Sequence, residues 1–257
     1  MSIIDISKTD APVALFEKSG HANYWLGNTE STAFRTNTYL IRDGERAWIV
    51  DPGNRALFEQ VREWVTKIMP PQEITGLIVC HQDPDVAASM VDWLELNPDL
   101  KVYTSPRTQV LLPYYGRSDY DYVNVEEHPL LELTGGGVLR FVPAPFLHFA
   151  GAFATYDAVS KSLFTGDVFA SLEAGNALWA ESFDELAGGM ELFHAEYMGS
   201  NIATRGFVGR LSGLEISSLL PQHGSLIGGD LVAHALRWLN TLQCGTDLIY
   251  PHLGYDR

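Results

Sequence analysis

Residues 79–86, Val-Cys-His-Gln-Asp-Pro-Asp-Val, set a histidine and two carboxylates at two-residue steps: His81, Asp83 and Asp85. Imidazole nitrogen and carboxylate oxygen are ligand atoms for first-row metal ions, and one loop offering three of them can serve two ions. A dinuclear zinc-hydrolase loop would read His-x-His-x-Asp-His, whereas here Asp83 stands at the second histidine and Val86 at the last. Asp83 precedes Pro84, which biases it toward an extended backbone. His81 and Asp83 are then expected to point the same way while the turn swings Asp85 past them. Three further residues end apolar, strand-like runs in the same manner: His148 after LRFVPAPFL, Asp167 after SLFTG and His223 after ISSLLPQ. Any one of them alone reads equally well as a polar loop residue or a cap. Together, three histidines and three carboxylates at strand ends are expected to converge on one rim, where α/β sheets collect their ligands.

The elements that must position these residues are readable from pattern. TNTYLIRDGERAWIVDPGN predicts a hairpin turning at Asp43-Gly44. Asn54 caps a predicted helix striped by Leu57, Val61, Trp64, Val65 and Ile68 and stopped by Pro70-Pro71. ITGLIV is a strand leading to His81, Pro84 opens a helix running from Val86 to Leu96, KVYT is a strand, and Ser105-Pro106 caps and opens another helix. AFATYD and SLFTGD predict a second hairpin, Ser182 and Glu185 have capping-box spacing, EISSLLPQH is a strand, and Leu231 to Leu242 stripe a last helix. The pattern is one α/β domain over 1–257 with two similar halves, about 1–130 and 131–257, and no linker between them.

Composition excludes several classes. With 257 residues and 46% hydrophobic side chains the chain can bury an ordinary core, and no run of about 18 apolar residues suggests a membrane span. The amino terminus lacks a signal-peptide layout, so a cytoplasmic protein is expected. A formal charge of −15 with no basic stripe argues against nucleic acid and anionic membranes. Two cysteines, Cys80 and Cys244, make neither a disulfide framework nor a zinc-site spacing, and strand alternation points Cys80 away from His81.

TYLI…WIVDPG, HQDPD, FLHFAGAFATYD, LFTGD and LLPQHG occur in the order and approximate spacing of the metallo-β-lactamase superfamily, from about Tyr24 to Trp238. The chain most resembles the lactamase-like domain of flavodiiron proteins and their single-domain oxygen-binding relatives. That resemblance implies a four-layer αββα sandwich and a homodimer. It implies that His81, Asp83 and His148 bind one metal, Asp85 and His223 the other, and that Asp167 bridges them. Asp51 matches a residue that supports the metal loop from behind. FHAEYM resembles a tyrosine-rich segment near the metals and makes His194 and Tyr197 candidate hydrogen-bond donors to bound oxygen. The chain departs from the family at Asp83, where glutamate is usual, and at Val86, where a histidine is common. A histidine of the family's amino-terminal aromatic segment has no clear counterpart, although His21 precedes ANYW.

Ligand chemistry points the same way. A carboxylate-rich pair of sites without thiolate suits two iron ions, with manganese or zinc as alternatives. Three carboxylates and one hydroxide balance two divalent ions. Phe149, Phe169 and Phe193 lie beside the ligands in sequence, where aromatic side chains limit water access or simply pack. Residues 224–257 are too few for a flavodoxin-like domain of roughly 100 residues, so no flavin is expected on this chain and electrons would come from a separate redox partner. The leading expectation is therefore a non-haem diiron protein that binds, and in an oxidoreductase would reduce, dioxygen or nitric oxide, or senses oxygen. The rival is a dinuclear hydrolase of an ester, thioester or phosphodiester, in which Asp85 orients the attacking hydroxide. A third reading is a signalling module whose metals only hold the fold.

Overall fold

The hairpin at Asp43-Gly44 forms the middle of the first sheet, with Gly44 at φ 62° as the two-residue turn requires. A computed structural model describes residues 4–27, 35–172 and 175–253. Its first sheet holds β1 (Val13–Lys18), β2 (His21–Trp25), β3 (Tyr39–Asp43), β4 (Arg46–Val50), β5 (Gly76–Ile78), β6 (Lys101–Thr104) and β7 (Asp121–Asn124), side by side in chain order. The first four pair antiparallel and β4 to β7 pair parallel. Crossovers between the parallel strands carry α1 (Phe58–Thr66), α2 (Pro84–Ala87), α3 (Met90–Leu96) and α4 (Pro106–Gln109). Asn54 Oδ1 accepts from the Leu57 amide at 3.1 Å, and Ser105 Oγ accepts from the Thr108 amide, so both expected caps are made.

The second sheet runs β8 (Leu130–Glu132), β9 (Val138–Pro143), β10 (Phe153–Asp157), β11 (Ser162–Gly166), β12 (Ser218–Pro221) and β13 (Ile227–Gly228). Only β11 and β12 pair parallel, and the connection between them carries α5 (Phe183–Tyr197) and α6 (Asn201–Arg210), followed after β13 by α7 (Leu231–Thr241) and α8 (Thr246–Ile249). One core contains Trp48, Ile49, Trp64 and Trp93 together with Phe141, Phe153 and Phe164, so it joins the first sheet to its helices on one face and to the second sheet on the other. A second core sets Leu163 and Leu219 against Met190, Phe207 and Leu239, which places α5, α6 and α7 on the outer face of the second sheet. The sheets are thus flanked by helices in four layers. Tyr39 of the first sheet meets Phe164 of the second edge-on at 5.2 Å and donates its hydroxyl to the Pro221 carbonyl at 2.6 Å.

Three local departures have clear causes. The helix expected over Val86–Leu96 is broken into α2 and α3, because the Val86 carbonyl accepts from Gly53 at 2.8 Å and the Ser89 amide donates to Gly53 at 2.9 Å. The DPGN loop has taken the hydrogen bonds that a continuous helix would make with itself. Ser182 is the N-cap of α5, but its side chain makes no capping bond. His21 occupies a structural post at the end of the sandwich: Nδ1 lies 3.1 Å from Asp43 Oδ1 and Nε2 lies 2.8 Å from Asp157 Oδ2, with all three residues buried. It links the first sheet to the second and takes no part in the rim where the six site candidates lie.

Candidate metal centre

Each candidate ligand follows a strand whose β-branched and apolar run is buried, so its backbone is held by a ladder up to the residue before the loop begins. β5 ends at Ile78 and delivers His81, and β11 ends at Gly166 and delivers Asp167. β12 ends at Pro221 and delivers His223, while His148 lies on the loop between β9 and β10. Asp83 is extended at φ −64° and ψ 149°, and Asp85 sits in the first turn of α2. The structure brings all six to one rim.

Within that rim two groups share one carboxylate. Ligand atoms of His81, Asp83, His148 and Asp167 all lie within 4.8 Å of one another. Asp167 Oδ2 is 3.1 Å from His81 Nε2 and 3.0 Å from His148 Nε2, and Asp83 Oδ2 is 3.0 Å from His148 Nε2 and 3.6 Å from His81 Nε2. The other oxygen, Asp167 Oδ1, faces His223 Nε2 at 3.4 Å, and His223 Nε2 lies 3.3 Å from Asp85 Oδ2. Atoms bound about 2.1 Å from a common ion are separated by about 3.0 Å at right angles and about 3.4 Å in a tetrahedron. Five of these six separations, 3.0–3.4 Å, fall in that range, and His81 Nε2 to Asp83 Oδ2 at 3.6 Å lies just beyond it. His81 Nε2 and Asp167 Oδ1 are buried and make no hydrogen bond. Two buried donor atoms that face an oppositely charged group at 3.1 and 3.4 Å without hydrogen-bond geometry fit a dinuclear metal centre.

Electrostatics show what the metals would replace. Burial alone would lower His148 and His223, but Asp167 with Asp83 in one case and Asp85 in the other outweighs it and raises each to about 10. Burial would raise Asp167, yet the three histidines hold it well below the usual carboxylate range. Without metal the site is therefore a lattice of imidazolium and carboxylate, and metal binding displaces those protons. His81, Asp167 and His223 are almost fully buried, while Asp83 and Asp85 are about a third exposed, which gives the centre one open side.

Surrounding groups fix the ligands' directions. His223 Nδ1 donates to the Arg35 carbonyl at 3.0 Å, which turns its Nε2 lone pair toward Asp85 and Asp167. Gln82 Nε2 donates to Asp83 Oδ1 at 2.7 Å, so only Oδ2 of Asp83 faces the histidines. The Gln82 carbonyl in turn accepts from the Tyr115 hydroxyl, and burial together with Asp83 and Asp85 pushes that phenol up to about 12. Pattern reading missed Gln82 and Tyr115, although Gln82 stands inside the motif itself. Asp51, at φ 51° and buried, accepts the Cys80 amide at its Oδ1 at 2.9 Å; burial pushes its carboxyl up to about 6. It supports the loop from behind and lies one step removed from the ligand atoms.

Two expectations need correction. His194 is fully buried, its Nδ1 donates to the Met190 carbonyl at 2.7 Å, and its Nε2 accepts the Phe169 amide at 2.9 Å. It has no proton left for a bound gas; burial pushes it down to about 4, which keeps it neutral. Its work is to hold Phe169, two residues after Asp167, at φ 69°, a conformation that a phenylalanine adopts only under restraint. Cys80 does not point away from His81: its Sγ lies 3.0 Å from His81 Nδ1, because the Val79 amide makes the last bond to β6 and the Cys80 amide turns to Asp51, so alternation no longer governs the chain there. Tyr197 remains beside the centre, stacked on Phe193 at 4.7 Å and edge-on to His148 at 5.8 Å. Phe193 also flanks His223 at 6.2 Å, and Phe169 is fully buried in the second core.

A family profile described as "ODP family beta lactamase" matches residues 34–224. The chain belongs to that family. Among solved ODP structures, a chemotaxis sensor ODP described as a peroxy diiron species superposes with a TM-score of 0.83 at 30% identity, covering 95% of this chain and 100% of that one. The apo state of chemotaxis sensor ODP from T. denticola gives 0.81 at 30% identity over 95% of this chain and 99% of that one. The flavodiiron protein from Giardia intestinalis shares the fold, with a TM-score of 0.80 at 22% identity over 91% of this chain and 60% of that one. Among curated proteins, Diflavin flavoprotein A 1 of Synechocystis sp. (strain PCC 6803) is 28% identical over 207 residues, 79% of this chain but 36% of that protein. The chain spans about a third of the length of the curated relatives it matches. Among the described residues no helix is long and apolar enough to cross a membrane.

Proposed function

We propose that this protein is a non-haem diiron protein that binds dioxygen or nitric oxide, in the manner of an oxygen sensor or of an oxidoreductase component. The observation that carries the reading is the division of Asp167: one oxygen faces His81 and His148, the other faces His223. His81, Asp83 and His148 hold one ion in this reading, Asp85 and His223 the other. Two iron ions so held would supply redox-active centres with open positions for a diatomic gas. Gln82 keeps Asp83 to a single facing oxygen, and Phe193 with His194 behind it walls the side away from solvent. In this reading Tyr197, half-exposed and edge-on to His148, would donate a hydrogen bond to the gas. The chemotaxis sensors that share 30% identity support the sensing form of this proposal.

Redox chemistry is favoured over hydrolysis by Val86. Its side chain is fully buried in the first core, so the position from which a further imidazole would come is given to packing, and the donor set stays rich in oxygen. Metal analysis and optical spectra of anaerobically reduced protein, before and after exposure to air, test the proposal. Two irons per chain and an absorption band that appears only with oxygen are expected. Two zincs with no oxygen-dependent band refute it, and hydrolysis of an ester or phosphodiester panel that Asp85→Ala abolishes would establish the hydrolase instead.

A further inference from the structure

Behind the rim, a buried thiol lies against a candidate ligand. Cys80 Sγ is 3.0 Å from His81 Nδ1, the ring nitrogen opposite the one that faces Asp167. The Cys80 amide, in turn, donates to Asp51 Oδ1 at 2.9 Å, so the residue that carries the thiol is tethered to a buried carboxylate. All three residues are buried, at 2–3% exposure, so solvent does not substitute for any of these partners.

The space for the sulfur is built into the neighbouring turn. Gly166, at φ 58° immediately before Asp167, would place a Cβ 2.9 Å from Cys80 Sγ. Glycine there serves both the left-handed backbone and the close approach of the thiol. Cys80 therefore touches the loop of one candidate ligand and the turn of the bridging carboxylate at once.

We propose that Cys80 is a positioning residue for the metal centre: His81 Nδ1–H donates to its Sγ, and Asp51 holds the backbone that carries the thiol. The inference rests on the dinuclear-metal reading of the site. A histidine that ligates through Nε2 needs a partner for its Nδ1 proton, and the strength of that partner sets the basicity of the ring. A carboxylate in direct contact would draw the proton strongly and make the imidazole a stronger donor. Thiol sulfur is a weak acceptor. Contact with Cys80 fixes the ring without the pull of a carboxylate on its Nδ1 proton, so His81 would bind as an ordinary neutral imidazole.

Three variants separate the hydrogen bond from packing: Cys80→Ser keeps an acceptor for His81, Cys80→Val fills the volume without one, and Cys80→Ala does neither. Iron and zinc titrations, the midpoint potential of the iron form and circular dichroism are measured on each. Cys80→Ala and Cys80→Val are expected to keep the fold and lose ten- to hundredfold in affinity for the first ion, with the second unaffected. Cys80→Ser is expected to restore affinity and to lower the potential, because a hydroxyl is the stronger acceptor. Wild-type affinity and potential in Cys80→Ala, or equal rescue by Cys80→Val and Cys80→Ser, overturns the proposal. Zinc loading reports on the His81–Cys80 contact even in a protein that refuses iron, so failure of the diiron reading is distinguishable from failure of this one.

Discussion

Replacing His21 with alanine tests whether the sandwich is pinned at the end remote from the metals. His21 is 3% exposed, and each ring nitrogen faces a carboxylate: Asp43 at 3.1 Å and Asp157 at 2.8 Å. Both nitrogens can donate only if the ring is charged. The acceptors are themselves satisfied, since Asp157 Oδ2 also takes Asn23 Nδ2 at 2.9 Å and Asp43 Oδ2 takes the Gly135 amide at 3.1 Å. Removing one member of a buried, hydrogen-bonded ion cluster costs about 3–5 kcal/mol. Burial would lower His21, but Asp157 and then Asp43 outweigh it and raise the group above 6.5, so its contribution is complete below pH 6.5 and lost as pH rises through the folded value. Asp157 is shifted the other way: burial is outweighed by His21, and its contribution holds above 3.8 and is lost as pH falls. The stability gap between wild type and His21→Ala, from urea unfolding at a series of pH values, is therefore expected to be largest between about pH 4 and 6.5. Above that window it should shrink at up to about 1.4 kcal/mol per pH unit. Metal stoichiometry should not change, because the network lies on the opposite end of the strands from His81 and Asp167. A gap below about 1 kcal/mol, or one that is flat from pH 6 to 10, would refute a charged His21.

Other outcomes follow from named contacts. Asp85→Ala is expected to leave one metal per chain, held by His81, Asp83, His148 and Asp167, as counted by elemental analysis. Gln82→Leu frees Asp83 Oδ1 and should weaken the first ion by about tenfold or more in a metal titration, leaving the second unchanged. His194→Ala should lower stability by about 2–3 kcal/mol in chemical denaturation, because the buried Phe169 amide loses its acceptor. An unchanged unfolding midpoint would show that something else holds that turn.

The site was legible where strand pattern ends in a ligand type, because the ladder carries the chain to a definite point: His81, Asp167 and His223 each follow a buried strand. Side-chain direction beyond the last ladder bond was not legible, and this is why Cys80 was expected on the wrong side. His194 was placed on the right helix but given the wrong work, since its acceptor role depends on the Phe169 amide, 25 residues away in the chain. The partners of His21 are 22 and 136 residues distant, beyond any local signal. The hairpin β1–β2 was missed although Ser19-Gly20, both at positive φ, is a turn pair that could have been read. α6 was missed because Gly206 and Gly209 dilute its helical signal and only Asn201, Thr204 and Phe207 of it are buried.

The split origin of the six rim residues has a consequence for how the protein comes into being. His81, Asp83 and Asp85 arrive on the loop after β5, while His148, Asp167 and His223 arrive on loops of the second sheet. Neither ion's proposed ligand set is complete within one sheet, and Asp167 belongs to both. A nascent chain that has folded only its first sheet offers three donors and no bridge, so metal loading belongs to the last stage of folding, after the two sheets have met. The time at which a folding chain acquires metal would then be a clock for the docking of its halves.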